Sequence, residues 1–205
     1  MKKLTTLLFT LCTLISVAQT AFISSRSFDT LLFRKINDYR AFYKFTPIKW
    51  NEEAYKMAQH HTAYQIKTLT VTHIESDTAS GMLNMEMLTD RGSHYLTKVD
   101  AACNENVEGG RYLIPLDSTT TFSKFVEKIW HKKLNSLAAE EIMALRVLFI
   151  WDGSATHKPN LLSTSCTRGA ISSQFKDVKK TANSIWLKGK PALEFAIYST
   201  MNFIE

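Results

Sequence analysis

The segment Trp151-Asp-Gly-Ser154-Ala-Thr-His157-Lys-Pro-Asn160-Leu161-Leu162 places a hydroxyl and an imidazole one helical turn apart. Serine paired with histidine is the arrangement of nucleophilic acyl transfer, in which the imidazole takes the hydroxyl proton and a carboxylate orients the ring. The same residues also have a structural reading. A serine at the mouth of a short helical turn caps its amide N–H groups, and the histidine then packs within the turn. Asp152-Gly-Ser-Ala-Thr156 is not the Gly-x-Ser-x-Gly elbow of hydrolases, and no oxyanion hole is marked beside it. Both readings stay open at this point.

The elements that must position these groups follow from periodicity and punctuation. Apolar residues 142–151 read as a buried helix that Asp152-Gly153 stops, so Ser154 and His157 stand where the chain leaves the core. Leu32, Ile36, Tyr39 and Tyr43 form the stripe of an amphipathic first helix, on which Asn37 and Arg40 are suited to holding neighbouring loops. Asn51 is a good N-cap for a second helix, and Glu52 and Glu53 suit its positive end. Its buried stripe would include Ala54, Met57, Ala58, His61 and Tyr64, with His61 a hydrogen-bonded core histidine and His60 facing solvent. His73 follows in a short β-favouring stretch, and Met82, Met85, Met87 and Leu88 read as a Met-rich helix ended by Gly92. Cys103-Asn104-Glu105-Asn106-Val107 with Gly109-Gly110 reads as a turn, and residues 121–137 as a further helix. Residues 166–175, 183–187 and 193–203 carry β-favouring patterns, so the chain is predicted to be α+β, ending in an antiparallel sheet.

Composition bounds the setting. Residues 1–18 carry Lys2 and Lys3, an uncharged apolar core over residues 4–17, and small residues at Ser16 and Ala18. This is the pattern of a signal peptide cleaved after Ala18, and an apolar core of that length is shorter than the roughly 20 residues a spanning helix needs. Export places the mature chain outside the cell or in the periplasm and cell envelope, with no transmembrane anchor. Loss of Lys2 and Lys3 lowers the formal charge from +6 to +4, a mild and scattered excess that gives no reason to expect nucleic acid as a partner. Lys176, Lys179, Lys180, Lys188 and Lys190 form its densest run, suited to solvating a hairpin and protecting its edge or to touching an anionic envelope or glycan. Cys12 lies in the leader, which leaves Cys103 and Cys166 in a compartment where disulfides persist.

Asn37-Asp-Tyr-Arg40, Pro47-Ile-Lys-Trp50, Ala58-Gln-His-His61, His73, Asn104-Glu105-Asn106 and the Trp151–His157–Leu162 segment, in that order, resemble the CAP superfamily, the cysteine-rich secretory, antigen 5 and pathogenesis-related proteins that share the SCP domain. The likeness spans residues 28–203 and is to the bacterial-type branch, which has Trp-x-x-Ser-x-x-His where animal and plant members carry Trp-x-x-Glu and a later histidine. It implies an α-β-α sandwich around a central antiparallel sheet, and a cleft lined by His73, Glu105 and His157 with Ser154 in the place of a second glutamate. Asn104 departs from the family's Gly-Glu-Asn, and a helix around Trp130 lengthens the path from Glu105 to Trp151.

The resemblance leaves two functional classes to weigh. Two imidazoles and a carboxylate are zinc-ligand types, so His73, Glu105 and His157 form an implied divalent-metal site, and a metal-assisted or Ser154-His-Glu105 hydrolase is one class. The other is a monomeric binding module for a lipid, glycan or protein, in which the cluster is a polar network. The two cysteines left in an exported chain predict a Cys103–Cys166 disulfide, a pairing that accords with the family's placing of its glutamate turn beside the sheet.

Overall fold

The computed structural model describes residues 23–24, 26–76, 85–97, 102–116, 119–187 and 190–205. In chain order these form β1 (Ile23–Ser24), α1 (Arg26–Phe42), β2 (Lys49–Trp50), α2 (Glu52–Thr68), α3 (Leu88–Tyr95), β3 (Ala102–Pro115), α4 (Thr121–Trp130), a 3₁₀ turn (Leu134–Ser136), α5 (Ala139–Gly153), α6 (His157–Leu161), β4 (Arg168–Leu187) and β5 (Lys190–Ile204). The leader residues and the side chains of Lys176, Lys179, Lys180, Lys188 and Lys190 lie outside the described set. Among the described residues no helix is long and apolar enough to cross a membrane.

The strands make one sheet in the order β1-β4-β5-β3, and β2 adds a short parallel pairing to β4. The long β3–β5 and β4–β5 pairings are antiparallel. Alternation along the strands divides the core in two. Ala170 and Ile204 meet Ala54, Tyr55 and Met57 of α2 on one face. Their neighbours Ile171 and Phe203, with Phe195, Ile197 and Met201, meet α1, α4 and α5 on the other. The fold is therefore α+β, as the sequence predicts, with helices on both faces of the sheet. In α5 the side chains of Ile142, Met143, Leu145, Val147, Leu148 and Trp151 are all buried, each aliphatic one contributing about 1.5–3 kcal/mol.

Local signals account for how the first helices are held. Asn51 Oδ1 accepts from Ala54 N at 2.8 Å and starts α2. Asn37 brackets the backbone of Ile48, donating to its oxygen and accepting from its nitrogen, both at 3.0 Å. Arg40 donates to the carbonyls of Thr46, Leu161 and Ser163, which ties α1 to the end of α6.

Four expectations are corrected. Residues 103–110 lie in the first part of the long strand β3 rather than in a turn. Gly92 lies buried inside α3, where its carbonyl accepts from Leu96 N, rather than ending the helix. The helix expected over residues 121–137 stops at Trp130, because His131 takes a left-handed conformation with φ 54°. Cys166 is a buried free thiol, so the disulfide is not formed; Asn104 Nδ2 lies 3.7 Å from its sulfur, and the side chain of Cys103 is outside the described residues.

Burial pushes the Glu108 carboxyl of β3 up from 4.5 to about 7, against the Gly109 N–H and the charge of Arg146. A raised folded-state value means the fold favours the protonated form, so the stabilisation is complete below about 4.5 and is lost as pH rises through about 7. Asp29, buried in the first turn of α1, is pushed the same way, to about 7. Glu108→Gln is expected to reduce by up to about 3 kcal/mol the stability lost on going from acid to mildly alkaline buffer. Urea unfolding of both proteins across that range checks it, and equal losses would refute a buried, readily protonated Glu108.

Candidate functional site

Trp151 anchors the site. Its ring is fully buried at the end of α5, and Nε1 donates to Val107 O at 3.2 Å on the outer edge of β3. Ser154 lies just past the helix, and its Oγ accepts from the amides of Thr156 and His157 at 3.3 and 3.2 Å. That hydroxyl starts the short α6, as the capping reading predicts. Asn160 then reaches back to β3, donating to Asn106 Oδ1 at 2.8 Å and to Glu105 O at 3.4 Å. Asn106 returns the contact by donating to His157 O at 3.1 Å. The Trp-Ser-His-Asn segment is thus a clamp: Trp151 and Asn160 occupy carbonyls of an edge strand that would otherwise lack partners.

On the opposite face of β3, Glu105 projects toward α2 and α3 and is only 5% exposed. Arg91 of α3 donates through Nη2 to both carboxylate oxygens at 2.9 Å. His73 Nδ1 lies 3.2 Å from Oε1, and the Asn202 amide, with its nitrogen turned to Glu105, donates to Oε2 at 3.0 Å. Burial opposes ionisation of this carboxyl, but the His73 hydrogen bond and the charges of His61 and Arg91 outweigh it and hold it below its ordinary value.

A second carboxylate extends the network. Glu75 receives His60 Nε2 at 3.0 Å and His61 Nδ1 at 2.6 Å, and Arg91 Nε lies 3.6 Å from it. Burial resists here too, yet the two histidine hydrogen bonds bring the Glu75 carboxyl down to about 2. His61 Nε2 lies 2.6 Å from the carbonyl of Thr72. Both ring nitrogens of His61 thus lie against oxygen atoms, Glu75 Oε1 on one side and Thr72 O on the other. His61 is the buried, hydrogen-bonded histidine that its helical stripe predicts. His60 is not turned to solvent as expected, because Glu75 draws its ring inward to 12% side-chain exposure.

His73 and His157 do meet, with ring centroids 5.8 Å apart and edge to face. His73 is about half exposed, while Nδ1 of His157 is buried with no hydrogen-bond partner. Burial, then the neighbouring His73, lowers the His157 value. His73, Glu105 and His157 therefore share one region, but the carboxylate they would contribute to a metal is already held by a guanidinium. Among the described residues no group of three histidine, cysteine or carboxylate side chains is arranged to hold a metal ion. Ser154 lies apart from the proton relay a hydrolase needs: its hydroxyl bonds to Thr156 Oγ1 at 3.0 Å and to backbone amides.

Arg91, Glu75 and His60 are the members of the site that sequence reasoning missed. A single arginine on an eight-residue helix carries no mark of burial, and its carboxylate partners sit on other elements. Glu75, two positions after His73, was within reach of a local reading but looks like an ordinary loop glutamate.

No protein-family model matches the chain, and no curated protein sequence does. Among solved structures, the fold is similar to that of an outer surface protein from Borrelia burgdorferi, at 15% identity and a TM-score of 0.52, over 90% of this chain and 97% of that one.

Proposed function

We propose that this chain is an exported CAP-type (SCP) domain of the cell envelope or extracellular space that works as a monomeric binding module through the His73–His157 cleft. The observation that carries the reading is how the site's polar groups are used. Ser154 is spent on the amides of the short helix and Glu105 is paired with Arg91, so neither serves as a nucleophile or a free carboxylate beside His73 and His157. What the surface at His73 and His157 offers a ligand is two neighbouring imidazole rings, with exposed Leu69, Val71 and Ile74 on the segment bearing His73. Apolar surface beside a few polar groups suits a lipid, a glycan or a protein segment. The ordered motifs and the clamp they build support the family reading. The signal-peptide pattern supports export, and the similar fold of a Borrelia outer surface protein accords with an envelope location.

Broad ester and peptide libraries, assayed with and without zinc, test the non-catalytic part. The expected result is no turnover that depends on His157, and for Ser154→Ala a stability loss of about 1 kcal/mol with nothing else changed. Turnover abolished by His157→Ala in a folded protein would sink the binding reading in favour of a hydrolase.

A further inference from the structure

We infer that Arg91 is the built-in cation of this cleft, standing where a divalent metal would otherwise be held, so that Glu105 is not a metal ligand in the native protein. The acceptors around the guanidinium are all oxygens. Nη2 faces both Glu105 oxygens at 2.9 Å and His73 O at 3.2 Å. Nη1 faces Glu86 O at 3.2 Å and Met85 O at 3.4 Å, and Nε lies 3.6 Å from a Glu75 oxygen. Two carboxylates and three backbone carbonyls converging on one buried point resemble the oxygen shell of a hard cation. Here the guanidinium fills it, with Nη2 alone facing both oxygens of Glu105 and Nη1 and Nε turned to the other acceptors.

The geometry also sets what a metal would have to displace. Zinc takes carboxylate oxygen at about 2.0–2.2 Å, so ligation by Glu105 would require Arg91 to release it. Arg91 is fully buried, so the released charge would stay unpaired in the interior. Without Glu105 the cleft has at most His73 and His157 to offer, and two nitrogens are short of the ligand count of a structural or catalytic zinc site. The inference concerns only how the carboxylate is held and is independent of what the cleft binds.

Zinc titration of the full exported chain by calorimetry tests it, comparing wild type, Glu105→Gln, Arg91→Met and the Arg91→Met, Glu105→Gln double variant, with folding checked by circular dichroism. Wild-type affinity is expected to change less than about twofold on Glu105→Gln, whereas Arg91→Met should gain about tenfold or more and the double variant should lose that gain. The wild type alone supplies a second readout that needs no variant to fold: the Arg91 side-chain N–H resonance should not move as zinc is added. A wild-type zinc site weakened about tenfold by Glu105→Gln, an Arg91 resonance shifted by zinc, or a folded Arg91→Met that gains no zinc affinity would each overturn the inference.

Discussion

Arg91→Ala is expected to destabilise the protein by about 3–5 kcal/mol in urea unfolding at neutral pH, a large share of what a domain of this size has to lose. Among the described residues the guanidinium is the one Lys or Arg cation that reaches both Glu75 and Glu105, and both carboxylates are buried. Its removal leaves uncompensated charge in the interior and frees the carbonyls of His73, Met85 and Glu86, which now position the loop before α3. The pH dependence has a defined sign. Both carboxyls are held below their ordinary value in the fold, so their stabilisation is present above about 4.5 and is lost as pH falls, for Glu75 toward about 2. The penalty of Arg91→Ala should therefore shrink on acidification, as the orphaned carboxylates take up protons. Adding Glu105→Gln should recover part of the loss, because one of the two buried charges goes with it. A loss below about 1 kcal/mol would mean the network is solvated rather than buried.

Trp151→Ala is expected to cost a similar amount, about 3–5 kcal/mol, for a different reason. The indole is fully buried among the residues of α1 and α5 and the sheet, and truncation leaves a cavity at the point where α5 hands the chain to α6. Trp151→Phe separates packing from the clamp: it keeps most of the apolar volume and loses the bond to Val107 O, for about 1 kcal/mol plus the remaining void. If the clamp positions His157, the alanine variant should also alter the His157 ring resonances under conditions where it remains folded. An unchanged His157 environment in folded Trp151→Ala would contradict that role.

The contrast between these two residues shows what was legible in the sequence. Trp151 sits at the end of an apolar run and opens a spaced motif, so both its burial and its place beside Ser154 and His157 could be read locally. The same holds for Asn51 as a cap and for His61 on a helical stripe, because short-range geometry decides both. β3 was hidden because Asn-Glu-Asn and Gly-Gly are turn formers, and only long-range partners override that preference. Asn106 is satisfied by Asn160 and His157, some fifty positions away. Gly109 is needed where a Cβ would come within 2.4 Å of the Tyr198 ring and 2.7 Å of Val71. Arg91 was illegible for the same reason: its burial depends on two carboxylates brought to it by tertiary contact. The meeting of His73, Glu105 and His157 came from motif order alone, and that order held no information on the guanidinium among them.

The central claim, that the His73–His157 cleft holds a ligand without transforming it, is tested most directly by ligand capture. The protein and its His157→Ala variant are incubated with lipid, glycan and peptide mixtures, and both the bound fraction and the supernatant are analysed by mass spectrometry. At least one compound is expected to be retained intact by the wild type and not by the variant, with identical supernatant products. Cleavage products accumulating with the wild type and absent with folded His157→Ala would contradict it.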